Sequence, residues 1–236
     1  MDYRRLIPNL CTSMNLVFGV CSILSTFSSD LVWGSVFILL ALVADGLDGR
    51  CARFFGVASE MGKEMDSLCD LVSFGVAPAI LAWVFALHAY RYIGIAIVIF
   101  FAVCAMWRLA RFNVSTDVVH GFFMGLAAPA GGNLVAMSTL LFVTIGFNPT
   151  AYGWVYPLAV IIVAWLMVSH VHYPNFKGDG AEKIYLITKI LSIILFAVLI
   201  YLGREAILPA VGMAVFLTYA MLGIVNSIFL ILGKKG

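Results

Sequence analysis

Asp45, Asp48, Asp66 and Asp70 lie within one stretch, DGLDGRCARFFGVASEMGKEMDSLCD, of a chain in which only 11% of residues are charged. On a helix the first two are three apart and the last two four apart, so each pair shares a face. Two helix ends can therefore present four acids to one point. An all-oxygen set of this kind suits a hard divalent ion such as Mg2+ or Mn2+, with no thiolate or imidazole to favour zinc. Gly49, Ala52, Arg53, Gly62 and Lys63 lie between the pairs as small residues and cations. The competing explanation is a set of polar residues at helix ends, snorkelling to a membrane surface. Acids are expensive inside a membrane and usually functional there, which favours the chemical reading.

The elements that must carry these acids are membrane helices. The chain has 236 residues, 63% of them hydrophobic. That composition describes an integral membrane protein, with no polar segment long enough for a separate soluble domain. Residues 1–236 are read as a single membrane domain. Apolar runs approaching the ~20 residues a membrane helix needs lie near 9–28, 32–55, 66–88, 92–112, 122–146, 153–171, 184–203 and 206–232. The expected fold is an all-α, polytopic bundle of about eight transmembrane helices, a six-helix catalytic core plus two. The N-terminal MDYRRLIPNL lacks the pattern of a cleavable signal, so the first run is expected to stay. The five cysteines form no CxxC pair and no disulfide framework.

Charge orients the bundle. With the N-terminus inside, Arg4, Arg5, Arg50, Arg53, Lys63, Arg108, Arg111, Lys177, Lys183, Lys189, Lys234 and Lys235 share the cytoplasmic side, against Arg91 and Arg204 outside. This bias predicts both termini in the cytoplasm, with the acids facing it, in a multi-pass protein of the cell membrane. The second helix then ends at the acids, where its dipole disfavours Asp45 and Asp48. The third is expected to begin there and to favour Glu64, Asp66 and Asp70. Gly46, Gly49, Gly56, Gly62 and Gly75 are expected to allow close helix approach, and Pro78 to kink or break the third helix.

Three other stretches are candidates for chemistry. In PNLCTSMN, Pro8 suits a first turn and Asn9 either caps it or meets a ligand; Thr12 and Asn15 follow. In MWRLARFNV, Arg108 and Arg111 share a face and suit a carboxylate or phosphate, or mark an inner membrane boundary. His170 and His172 are two apart, a weak metal pattern. Tyr3, Tyr152, Trp154, Tyr156 and Tyr173 fit an interfacial aromatic belt.

The spacing Asp-x2-Asp-Gly-x2-Ala-Arg-x8-Gly-x3-Asp-x3-Asp is filled here by Asp45, Asp48, Gly49, Ala52, Arg53, Gly62, Asp66 and Asp70. In this the chain resembles the CDP-alcohol phosphotransferase family. SLCDLVSFGVAPA, WRLARFNV, FFMGLAAPAGGN and LMVSHVHYPNFK are similar to its integral-membrane, serine-using branch, with Ala127 where that branch tends to carry proline. The resemblance implies a transfer of the phosphatidyl group from CDP-diacylglycerol to L-serine, giving phosphatidylserine and CMP, with two divalent ions and a homodimer. It makes Asp45, Asp48, Asp66 and Asp70 metal ligands, Asp70 also the base, and sets Gly49, Ala52 and Arg53 at the nucleotide and diphosphate. Asn9, Thr12 and Lys63 are expected on that side too, and Arg108 and Arg111 at the serine carboxylate. No nucleic-acid partner is expected. Two rivals stay open: another acceptor (inositol, glycerol 3-phosphate or phosphatidylglycerol), and a divalent-cation channel or carrier, which needs acids at both ends or at mid-depth.

Overall fold

The computed structural model describes residues 3–57, 59–114, 122–174 and 186–233. Helices α1 (Tyr3–Phe27) and α2 (Leu31–Phe55) lead into α3 (Glu60–Asp70), which runs through a π-helical turn, Leu71–Val76, into α4 (Ala77–Phe85). A 3-10 turn, Leu87–Tyr90, precedes α5 (Arg91–Val114). Then follow β1 (Phe122–Met124), α6 (Ala128–Thr144), α7 (Val155–Val168), β2 (His172–Pro174), α8 (Leu186–Leu202) and α9 (Ile207–Gly233). Among the described residues, five helical segments are long and apolar enough to cross a membrane, and three shorter apolar helices join them. The protein is therefore the all-α polytopic bundle that the apolar runs predict.

Helix α1 is built inside out. Its buried positions are Pro8, Thr12, Asn15, Gly19, Ser22 and Thr26, spaced alternately four and three apart, and so form one face of small and polar groups. Leu10, Val17, Leu24 and Phe27 point outward, as suits a helix whose outer solvent is lipid. The inner stripe lets α2, α3 and α4 pack closely against α1. The Ser73 side chain lies against Gly19, where any Cβ would collide with it. Helix α6 is buried along most of its length, from Ala128 to Leu141. It forms the inner wall against which α2, α4 and α9 pack.

Pro78 does not break its helix. The widened turn before it absorbs the missing amide. A proline also leaves the carbonyl four residues back without its helical donor. That residue is Phe74, whose backbone lies so close to Gly132 of α6 that only glycine fits, a Cβ there falling 2.6 Å from the Phe74 oxygen. The third helix starts earlier than expected, at Glu60, capped by Ser59, which accepts from the Gly62 amide at 3.1 Å. The first also starts earlier, so Pro8 lies inside it and Asn9 is not its cap.

The fifth run begins as a strand. Phe122, Phe123 and Met124 pair antiparallel with Pro174, Tyr173 and His172, and α6 starts only at Ala128. Ala127 precedes it with φ −62° and ψ 135°. Proline adopts that conformation without strain, so the departure from the resembled pattern leaves the backbone unchanged. This strand pair seats Tyr173 in the core, fully buried, its ring 5.3 Å from that of Tyr219 on α9. Gly223 leaves the space that the ring fills. Burial pushes the Tyr173 phenol above its ordinary range.

Tyr156 is also buried, paired with Thr139 at 3.2 Å. Neither tyrosine belongs to the expected aromatic belt, because each finds a partner inside the bundle. At the opposite end of the molecule Tyr90 stacks on Trp154 at 4.8 Å and donates to the Gly153 carbonyl. The side chains of Tyr3 and Tyr152 lie outside the described residues.

Candidate active site

Three of the four aspartates converge. Asp45, Asp48 and Asp66 each offer a carboxylate oxygen, and these atoms lie within 4.8 Å of one another. Asp45 and Asp48 come from the second half of α2, one turn apart, and Asp66 from the second turn of α3. Two helices thus bring the two halves of the motif together, with α1 packed against both. Asp70 is one turn deeper on α3 and stands outside this trio, within Coulombic reach of Asp45 and Asp66.

Helix α1 holds both halves through residues three apart on its polar face. The Thr12 hydroxyl donates to Asp48 Oδ2 at 2.7 Å, with the Pro8 carbonyl 3.1 Å away as a second acceptor. The Asn15 amide donates to Asp70 Oδ1 at 2.9 Å. Helix dipoles do not support the acids in the expected way, because dipole effects fade within a turn of a helix end. Asp66 lies in the second turn of α3 and Asp70 at its far end, away from the α3 N-terminus, and Asp48 lies seven residues before the end of α2. Neutral donors on α1 supply what the dipole does not.

The trio fits a hard cation. It is all oxygen, and Asp66 Oδ1 is buried without a hydrogen-bond partner. A buried carboxylate oxygen left unpaired is costly, and a divalent ion satisfies it along with the crowding of three like charges. His170 is exposed and His172 lies in β2; neither joins the cluster.

Gly46 and Gly49 directly follow Asp45 and Asp48 in α2. A side chain at Gly46 would meet nothing within 4 Å, and one at Gly49 would meet only the Arg53 guanidinium, at 3.5 Å. These glycines leave room beside the acids. Helix contact is made elsewhere: among the five glycines expected to serve it, Gly75 presses on α5, where its Cβ would fall 3.0 Å from Ala105. Gly56 sits in a turn with φ +64° and open space. Arg53 is exposed, folds back over Gly49 and acts on Asp48 through space. Ala52 follows on the same helix, its side chain outside the described residues.

Asn9 lies toward the start of α3, its Oδ1 3.9 Å from where a Gly62 Cβ would be. Lys63 reaches across to α5 and donates to the Asn113 carbonyl at 2.9 Å. Asn113 in turn donates to Ser67 at 2.8 Å, which closes the seam between α3 and α5.

Arg108 and Arg111 do not act as a pair. Arg111 donates to the carbonyls of Met124 at 3.0 Å and Val168 at 3.1 Å, with those of Met167 and Ser169 at 3.4 Å. Its planar fork fills a cage of carbonyls where α7 and β1 both end. The expectation that it shares a carboxylate with Arg108 is corrected on that ground. Arg108 stands over the Phe112 ring at 5.1 Å and within Coulombic reach of Asp70, Tyr219 and Asp45. It stands on the Asp70 side of the acids, as Arg53 does on the Asp48 side. Tyr219 belongs to α9 and Asn15 to the middle of α1. The sequence reading assigned neither to the site, although the three-residue step from Thr12 to Asn15 was a usable signal for the second.

The ties from Lys63 to Asn113 and from Arg111 to Met124 and Val168 gather one set of helix ends. Arg50, Arg53, Lys63, Arg108, Arg111 and Lys189 fall at that end with the acids, and Arg91 and Arg204 at the other. Lys177, Lys183, Lys234 and Lys235 lie outside the described residues.

Comparison with known proteins agrees with this geometry. The CDP-alcohol phosphatidyltransferase family matches residues 5–168, which is α1 to α7. A CDP-diacylglycerol–serine O-phosphatidyltransferase of Helicobacter pylori is 33% identical over 228 residues, covering 95% of this chain and 92% of that protein. The enzyme of the same name from Bacillus subtilis is 32% identical over 178 residues, 75% of this chain and 95% of its own length. An archaetidylserine synthase of Methanothermobacter thermautotrophicus is 36% identical over 178 residues, 75% of this chain and 72% of that protein. With its motif complete and its acids assembled between α2 and α3, this chain belongs to the CDP-alcohol phosphatidyltransferase family.

Proposed function

We propose that this protein transfers the phosphatidyl group of CDP-diacylglycerol to the hydroxyl of L-serine, giving phosphatidylserine and CMP. The observation that carries the reading is the separation of roles among four acids. Three offer oxygens within 4.8 Å of each other, and the fourth, Asp70, is held apart by Asn15. The relatives from the two bacteria and from the archaeon are all named for a serine product or substrate.

Asp45, Asp48 and Asp66 would hold Mg2+ or Mn2+, in a pair of ions if the family resemblance holds in full. Bound there, such ions neutralise the diphosphate and stabilise charge on the departing CMP. Asp70 takes the proton of the serine hydroxyl as its oxygen attacks the lipid-side phosphorus. The bond from that phosphorus to the CMP oxygen breaks, and CMP leaves with the electron pair. Gly46 and Gly49 leave room for the nucleotide and diphosphate, and Arg53 and Asn9 border that space. Arg108 is assigned to the serine carboxylate, because it is the cation facing Asp70. The excess of cations at the acidic end supports a site that opens to the cytoplasm.

The channel or carrier reading is disfavoured by the one-sided placement of the acids, since it calls for acids at both ends or at mid-depth. The test is an acceptor screen with purified protein, CDP-diacylglycerol and Mn2+, read as CMP release. Serine is expected to drive it, with little from inositol, glycerol or glycerol 3-phosphate. Preference for any of these three overturns the serine assignment.

A further inference from the structure

Asn15 is fully buried on the polar face of α1. Its amide nitrogen donates to Asp70 Oδ1 at 2.9 Å, and its backbone carbonyl accepts from the Ser73 hydroxyl at 2.9 Å. Ser73 in turn lies against Gly19, one turn further along α1. The two segments are thus joined at Asp70 and again at Ser73, about one turn beyond it. Asp70 is also the last α-helical residue before the π-helical turn Leu71–Val76, a kind of turn often found at functional sites. A widened turn alone leaves the aim of the preceding side chain loosely set, and the bond from α1 fixes it.

Only the amino half of an amide can face an anionic oxygen, so the Asp70 contact dictates how the Asn15 side chain is turned. Its carbonyl oxygen is then buried without a hydrogen-bond partner. A leucine, branched like asparagine but apolar, would avoid that penalty if packing were the whole purpose. The side chain is therefore explained by the bond that its nitrogen makes.

We propose that Asn15 is a positioning residue for Asp70, holding the carboxylate in the orientation from which it takes the acceptor's hydroxyl proton. This rests on Asp70 being the base, as proposed above, but not on serine being the acceptor. The role belongs to any alcohol that the protein uses.

The test is a double-mutant cycle of Asn15→Leu and Asp70→Asn, with turnover followed by a radiolabelled acceptor. Asn15→Leu alone is expected to lower kcat about 10- to 100-fold, the scale of a misplaced catalytic group. The KM for CDP-diacylglycerol and Mn2+ binding by titration are expected to stay within about twofold. In the Asp70→Asn background the same change is expected to cost less than about twofold, because its only route to the reaction is gone. An equal loss in both backgrounds overturns the proposal, as does a rise in KM or a loss of Mn2+ binding with kcat unchanged. Should Asn15→Leu not fold, Asn15→Ser, whose short hydroxyl falls short of Asp70, carries the same expectations. A wild type that uses an alcohol other than serine overturns the serine reading but leaves this test intact. Wild-type turnover with an unchanged Asn15→Leu enzyme overturns the positioning role alone.

Discussion

Arg111→Ala removes one side chain and releases several backbone carbonyls. The two shorter bonds, at 3.0 Å to Met124 and 3.1 Å to Val168, are charge-assisted. Bonds to charged groups contribute about 1.5–3 kcal/mol each. Water that enters the vacated space recovers part of this, so about 3 kcal/mol is the expected net loss, roughly a hundredfold in the folded-to-unfolded ratio. For domains of 150–250 residues, 1 kcal/mol corresponds to about 2–4 °C, which gives a midpoint lowered by about 6–12 °C. The assay is thermal unfolding of purified protein in mild detergent, alongside serine saturation kinetics at the permissive temperature. Arg111→Lys is expected to fall between, because one ammonium cannot reproduce a planar fork. Arg108→Ala is the counterpart, with a midpoint near wild type and an apparent serine requirement raised about tenfold to a hundredfold. An unchanged midpoint in Arg111→Ala, with a raised serine requirement instead, refutes the assignment of Arg111 as a structural clamp.

Other outcomes follow from the same geometry. Asp45→Asn or Asp66→Asn is expected to abolish Mn2+ binding and activity together, measured by titration and CMP release, since each removes a charged oxygen from the trio. Asp70→Asn is expected to retain Mn2+ and CDP-diacylglycerol binding while turnover falls about 100- to 10,000-fold; loss of metal binding as well would make it a ligand first. Gly125→Ala is expected to lower the thermal midpoint about as far as Arg111→Ala does. Gly125 has φ +76°, and a Cβ there would collide with the Met167 carbonyl and fall 2.7 Å from the Arg111 guanidinium. Single cysteines at Lys63 and Thr150, in a cysteine-free background, are expected to react with impermeant reagent from the cytoplasmic and outer sides respectively. The reverse pattern would invert the topology.

The apolar runs and the motif spacing were legible because each is local. A stretch of some twenty apolar residues has few fates other than a membrane helix, and acids three and four apart share a face wherever the helix begins. The strand at Phe122–Met124 was not legible, since it exists only through pairing with His172–Pro174 some fifty residues later. Pro78 reads locally as a break, but the π-helical turn and the glycine at position 132 accommodate it through tertiary packing. Tyr156 and Tyr173 look like belt residues until Thr139 and Gly223 supply an interior for them. The two arginines were alike in sequence and differ in structure because the carbonyls that trap Arg111 come from the far ends of other elements. Asn15 was visible as one more polar residue of the first helix. Its partner Asp70 is 55 positions away, and no local pattern joins them.

The most direct test of the central claim is incorporation of radiolabelled serine into extractable lipid by the purified protein. Label is expected to enter phosphatidylserine in a one-to-one ratio with CMP released, to require both CDP-diacylglycerol and Mg2+ or Mn2+, and to be nearly lost in Asp70→Asn. CMP release without labelled lipid would make the protein a hydrolase of the donor, and labelled lipid formed without CDP-diacylglycerol would make it a headgroup exchanger. Either result contradicts phosphatidyl transfer from the nucleotide to serine.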